Sequence, residues 1–216
     1  MTQNFIKGTG KILAGILLLY ISGALAVISR ASGTSSGFLI PSFFGLPASS
    51  IEAQAVLGCA GYIIFMIGLA QCSKEDSIFR KPLLLGLICA GAACIGSAEI
   101  FSVSLFSILL LVLAAACFAA QLMVFEHLKA CSRYILSEKV LDLVRTWIIM
   151  AALLAFVNMA LPFLPAGMIT ALLCFAVLAS AGAFYLLGFL RLEEKLKTEY
   201  LKSKLEEEAE SEGAFA

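Results

Sequence analysis

Apolar runs long enough to cross a bilayer recur along the whole of this sequence, and no other feature constrains the fold as strongly. A hydrocarbon core about 30 Å thick takes roughly 20 residues of helix to span, and inside it every backbone N–H and C=O must be paired. Such runs are read at about residues 12–29, 51–71, 82–98, 101–125, 146–164 and 168–190. The chain of 216 residues is 61% hydrophobic and only 14% charged, with a mean hydropathy of +1.00. A soluble domain of that size needs far more charged surface. The expected fold class is all-α: a polytopic helical membrane protein. One domain of six transmembrane helices fills residues 1–190, and a charged helical tail follows at 191–216.

The basic residues set the expected orientation. Lys7 and Lys11, then Lys74, Arg80 and Lys81, then Lys129, Arg133, Lys139 and Arg145, then Arg191 onward all fall on one side of the six runs. The other side holds only Arg30, at a helix end. By the positive-inside rule both termini are then cytoplasmic, and the six spans form three hairpins. Residues 126–145 read as a cytosolic connection. There Ile135, Val140, Leu141 and Val144 give an amphipathic pattern suited to the inner surface, and Trp147 reads as an interfacial anchor opening the fifth span.

The opening also resembles a signal peptide, with Lys7 and Lys11 before the apolar run and Ala24-Leu25-Ala26 as a cleavage motif. The run continues past it through Val27 and Ile28, long enough to span; the topology downstream is the same with or without cleavage of residues 1–26. Residues 31–50 admit two readings. One is an outer loop with an apolar stretch in the lipid interface; the other is a re-entrant loop lining a cavity. A short repeat accompanies the hairpins: Leu69-Ala70-Gln71-Cys72-Ser73-Lys74 is echoed by Leu128-Lys129-Ala130-Cys131-Ser132-Arg133, 59 residues on, and the same step from Cys131 reaches Leu190. The stretch IGLAQCSKEDSIFRKPLLLG joins an apolar helix, a charged turn, Ile-Phe and a second apolar helix. Over about residues 64–96 it resembles an uncharacterised, domain-of-unknown-function family of small prokaryotic polytopic membrane proteins. The resemblance supports a hairpin here and implies no activity; the expected location of the chain is a cell (inner) membrane.

Small residues crowd the third run. Gly86, Ala90, Cys94 and Ala98 lie along one i, i+4 line, and Ala92 and Gly96 repeat the spacing on another face. In a bilayer, small faces let backbones approach so that dispersion and Cα–H···O contacts hold helices together. This run is therefore expected at the centre of the bundle.

Little here resembles chemistry. Net charge is zero, with 15 basic and 15 acidic residues, so no overall field points to nucleic acid. There is no Walker A loop, dinucleotide fingerprint, HExxH or CxxC. The single histidine, His127, stands i, i+4 from Cys131, which is short of a closed metal site or a supported nucleophile pair. Of the seven cysteines, Cys59, Cys89, Cys94, Cys117 and Cys174 read as small hydrophobes in apolar helices, and Cys72 and Cys131 fall in cytosolic, reducing segments, so no disulfides are expected. The expectation is a protein that is not an enzyme and takes no cofactor. Polar groups in or near the spans are Glu52, Gln54, Glu99, Gln121 and Asn158; Asn158 is expected to hydrogen-bond a neighbouring helix, for about 0.6–2 kcal/mol. Two function classes follow. The first is an interaction or scaffold subunit that meets another subunit, or a second copy, through His127, Lys129, Arg133, Arg191 and Lys195 on its cytosolic surface. The second is a small transporter or channel with an outer vestibule at residues 31–52 and Glu99. The lack of charge in mid-membrane favours the first.

Overall fold

The computed structural model describes residues 3–33, 53–96, 103–131 and 134–213. Within them the chain forms six α-helices: α1 (Gln3–Ala31), α2 (Ala53–Glu75), α3 (Arg80–Gly96), α4 (Val103–Cys131), α5 (Tyr134–Ala160) and α6 (Met168–Gly213). Four stretches, Gln3–Ala31, Val56–Glu75, Ser137–Phe163 and Met168–Glu206, are long and apolar enough to cross a membrane. The chain is a multi-pass membrane protein.

The helix ends follow local chemistry. The Asp76 N–H closes α2 on the Cys72 carbonyl at 3.0 Å. The Asp76 carboxylate then accepts from the Ile78 N–H at 2.9 Å and caps a 3₁₀ turn, Ser77–Phe79, that leads directly into α3. Pro82 falls in the first turn of α3, where an N–H has no intrahelical partner to lose. At the other end of the molecule α1 stops at Gly33, whose φ of +77° suits a residue without Cβ. A second 3₁₀ turn, Leu161–Phe163, contains Pro162 and ends α5. The Gly167 N–H donates to the Ala31 carbonyl at 2.8 Å, which pins the α5–α6 turn to the end of α1.

Consecutive helices pack in pairs, α1 on α2, α3 on α4 and α5 on α6, and α1 also lies along α6. The α1–α2 pair has the closest approach. Gly8 faces Gly68 and Gly15 faces Gly61, so two glycines seven residues apart on one helix meet two seven apart on the antiparallel other. A Cβ added at Gly15 would stand 2.6 Å from the Phe65 backbone nitrogen and 2.8 Å from the Gly61 carbonyl oxygen. At Gly68 it would stand 2.7 Å from the Gly8 carbonyl oxygen. Backbone therefore lies on backbone, the arrangement that stabilises helix pairs by dispersion and weak Cα–H···O contacts.

The far side of α1 is joined to α6 by two tyrosines. The Tyr20 hydroxyl donates to the Leu178 carbonyl at 2.8 Å, and the Tyr185 hydroxyl lies 3.5 Å from the Leu13 carbonyl oxygen. Each tyrosine sits seven residues beyond the carbonyl that its counterpart reaches, so the two contacts are related by the antiparallel pairing itself.

These contacts put α1 at the centre among the described residues, where sequence reading had put the third run. Leu84, Leu87 and Ile88 of α3 are between 57% and 61% exposed, so one side of that helix faces outward. Gly86 is buried against Met66 of α2 and Ala90 is half-buried. The side chains of Ala92 and Cys94, the surroundings of Gly96, and residue Ala98 itself lie outside the described residues. The physical reason for the difference is register. A small face brings backbones together only where the facing helix is small at the same level, and α1 and α2 meet that condition twice.

Two further expectations change. Residues 126–131 complete α4 and 134–145 begin α5, so the polar connection extends the two helices on either side of residues 132–133. Trp147 is not a lipid-interface anchor. It is 3% exposed, between α4 and α5, and its indole N–H donates to the Gln121 side-chain oxygen at 2.8 Å. Phe118 stacks on it at 4.6 Å and Phe125 lies at 5.4 Å. Trp147→Phe should leave the Gln121 oxygen without a partner and lower stability by about 1–2 kcal/mol. Adding Gln121→Leu should recover part of that loss. A double-mutant cycle by thermal melting in detergent reads the coupling, and strict additivity would show that the hydrogen bond contributes nothing.

Candidate functional site

The two ends of the bundle differ in chemistry. At one end the first turns of α1, the α2–α3 turn and the last turns of α4 meet around Phe79, which is fully buried. Phe5 approaches it edge-on at 5.8 Å and His127 at 5.9 Å. The Cys72 thiol fills the space beside Gly8 and lies 3.9 Å from the Phe5 carbonyl oxygen. Three buried polar atoms at this end have no hydrogen-bond partner: Thr9 Oγ1, Gln71 Oε1 and His127 Nε2. Around this junction stand the exposed cations Lys7, Lys74, Arg80, Lys81 and Lys129. His127 therefore behaves as a packed aromatic, half-buried against Phe79, and Lys129 as an outward charge. Arg133 and the side chain of Cys131 lie outside the described residues.

Among the described residues, the opposite end carries one cation, Arg30. Its Nη1 donates to the Asn158 side-chain oxygen at 2.7 Å, joining the last turn of α1 to the last turn of α5. Asn158 thus bonds a neighbouring helix as its sequence position led one to expect, and the partner is the residue read as a helix-end charge. Glu52 and Glu99 lie outside the described residues, as do residues 34–50 and the side chain of Gln54.

The third feature is the length of α6. Its 46 residues run unbroken from Met168 to Gly213, about 69 Å at 1.5 Å per residue, more than twice a hydrocarbon core. The helix runs without a break through Arg191, where the charged helical tail is expected to begin. The buried stripe of Cys174, Leu178, Ala181 and Tyr185 continues through Leu192 and Leu196, which are 1% and 5% exposed, and Tyr200 packs partly against the same core. Beyond it the helix opens to solvent. Leu201 and Leu205 are exposed one turn apart, and Arg191 and Lys195 are exposed on the preceding turns. Ion pairs Glu193–Lys197 at 2.8 Å and Lys204–Glu208 at 3.6 Å brace the surface, each contributing at most a few tenths of a kcal/mol.

What these arrangements do chemically is hold helices together and present surface. The residues missed from sequence, Tyr20, Tyr185 and the four glycines of α1 and α2, all join helices, as does the unforeseen pairing of Gln121 with Trp147. No protein-family model, curated protein or solved structure matches this chain.

Proposed function

We propose that this chain is a six-span protein of a prokaryotic cell membrane with both ends in the cytosol. In this reading it is an interaction subunit and not an enzyme, and it recruits a second protein, or another copy of itself, to the membrane. The observation that carries the reading is the unbroken α6. Its apolar half packs against α1 and α5, while its last turns extend past the core with Leu201 and Leu205 exposed on one face. Exposed leucines on a charged helix in water are otherwise unfavourable, and a partner that covers them would recover that burial. The gathering of Lys7, Lys74, Arg80, Lys81 and Lys129 at the end from which α6 projects supports the cytosolic assignment of that end.

Two experiments test the proposal. Reporter fusions after Lys81, Ala98, Arg145, Ala166 and Ala216 should read in, out, in, out and in; a cytosolic signal at Ala98 or Ala166 sinks the six-span topology. A photo-activated crosslinker at Leu201 or Leu205 should capture one discrete protein band in cells, and the same probe at Glu194, exposed on the preceding part of α6, should capture less. Equal, diffuse labelling at all three positions speaks against a docking face.

A further inference from the structure

The start of α3 is wedged in place. Phe79 is fully buried, with Phe5 of α1 and His127 of α4 edge-on against it. Before it the Asp76 carboxylate caps the Ile78 N–H, and after it the Arg80 N–H donates to the Ser77 carbonyl. The two residues that follow the wedge, Arg80 and Lys81, are exposed, and neither makes an ion pair with another described residue. They head an apolar face. Leu84 lies four residues beyond Arg80 and three beyond Lys81, Leu87 lies seven beyond Arg80, and Ile88 seven beyond Lys81. That spacing puts all five on one side of the helix. Leu84, Leu87 and Ile88 are each more than half exposed, so this side looks out from the bundle. The surrounding junction is positive, with Lys7, Lys74, Arg80, Lys81 and Lys129 against Glu75, Asp76 and Glu126.

We propose that Arg80, Lys81 and the face of Leu84, Leu87 and Ile88 bind an anionic phospholipid. In a multi-pass protein, cations at the head of an outward apolar face meet the lipid phosphate while the face itself meets an acyl chain. Arg80 offers a planar fork of donors to the phosphate oxygens, and Lys81 adds a compact charge beside it. A zwitterionic lipid has the same phosphate and chains but carries a cation of its own, which the junction repels, so the site selects a net negative headgroup. Because Phe79 and the Asp76 cap already fix the turn, little backbone has to be ordered when the lipid binds. The site is separate from α6 and does not depend on which side of the membrane this end faces.

The test uses the full chain, freed of lipid in a nonionic detergent and titrated with dioleoyl phosphatidylglycerol or dioleoyl phosphatidylcholine. Native mass spectrometry counts the lipid retained, and a thermal melt reads the stabilisation. Phosphatidylglycerol should be retained and raise the melting temperature at concentrations where phosphatidylcholine does neither. Arg80→Gln with Lys81→Gln should weaken that retention about thirtyfold, from roughly 1 kcal/mol for each cation, and leave the melting of the lipid-free chain unchanged. Lys195→Gln with Lys202→Gln removes the same exposed charge from α6 and should leave retention as it is. Glycerol phosphate, a headgroup without chains, should not shift the melt. The comparison of the two lipids needs no variant, so it decides the matter even if the Arg80 and Lys81 double variant does not fold. Three results overturn the assignment: equal retention of the two lipids, equal loss in both double variants, or a full melting shift with glycerol phosphate.

Discussion

Gly15→Ala should be among the most damaging single-atom additions in this protein. The new Cβ would meet the Phe65 nitrogen at 2.6 Å, the Phe65 Cβ at 2.7 Å and the Gly61 carbonyl oxygen at 2.8 Å. Two of the three are backbone atoms, which no rotamer change can move aside, so α1 and α2 must separate. Overpacking of this kind costs about 1–3 kcal/mol, and the separation also loosens the Gly8–Gly68 contact. For that reason Gly15→Ala and Gly68→Ala combined should cost less than their sum, since the first already parts the helices that the second would part. Gly10→Ala is the control in the same helix, with nothing within 4 Å of its added Cβ, and it should be close to neutral. Ala90→Leu, on a helix with an outward face, should fall between them. Thermal melts of the four single variants and the Gly15–Gly68 double variant in one detergent order them. A larger loss from Ala90→Leu than from Gly15→Ala would return the packing centre to α3.

The multi-pass, all-helical class was legible because it rests on apolar runs whose length alone decides the matter. The packing centre was not, and the glycines show why. Gly8 and Gly15, and Gly61 and Gly68, are each separated by seven, a spacing plain in the sequence. Yet the chain has 17 glycines, and the third run is denser in small residues than either of these helices. Density says that a face is able to approach another. Contact depends on the level at which the facing helix is also small, which is a property of a pair. The same limit hid the hydrogen bonds. Gln121 and Asn158 were visible as polar groups in apolar surroundings, and each implies a partner. The partners, Trp147 and Arg30, had each been given a lipid-facing or solvent-facing explanation that satisfied them separately. Pairing such residues with one another before pairing them with solvent is the inference the sequence would have allowed.

At Arg191 charge and packing part company, and that leads to the second large effect. Charge ended the apolar run there, but the helical stripe of buried residues did not stop: Leu178, Ala181 and Tyr185 are followed in register by Leu192 and Leu196. A chain ending after Leu192 loses Leu196, whose burial in water contributes about 1.5–3 kcal/mol, together with the part of Tyr200 that packs on the core. It should melt well below the full-length protein. A chain ending after Tyr200 keeps every buried residue of the stripe, so its melting should match the full length. If α6 is the docking helix, that second chain should nonetheless fail to recover the partner, because Leu201 and Leu205 have gone. The pair of truncations thus separates fold from function on one helix. Equal melting of both would show that packing ends at Leu192 and the tail is structurally independent from there. Undiminished partner recovery by the chain ending at Tyr200 would move the interaction surface off α6, to the junction around Lys81 and Lys129 at the base of the bundle.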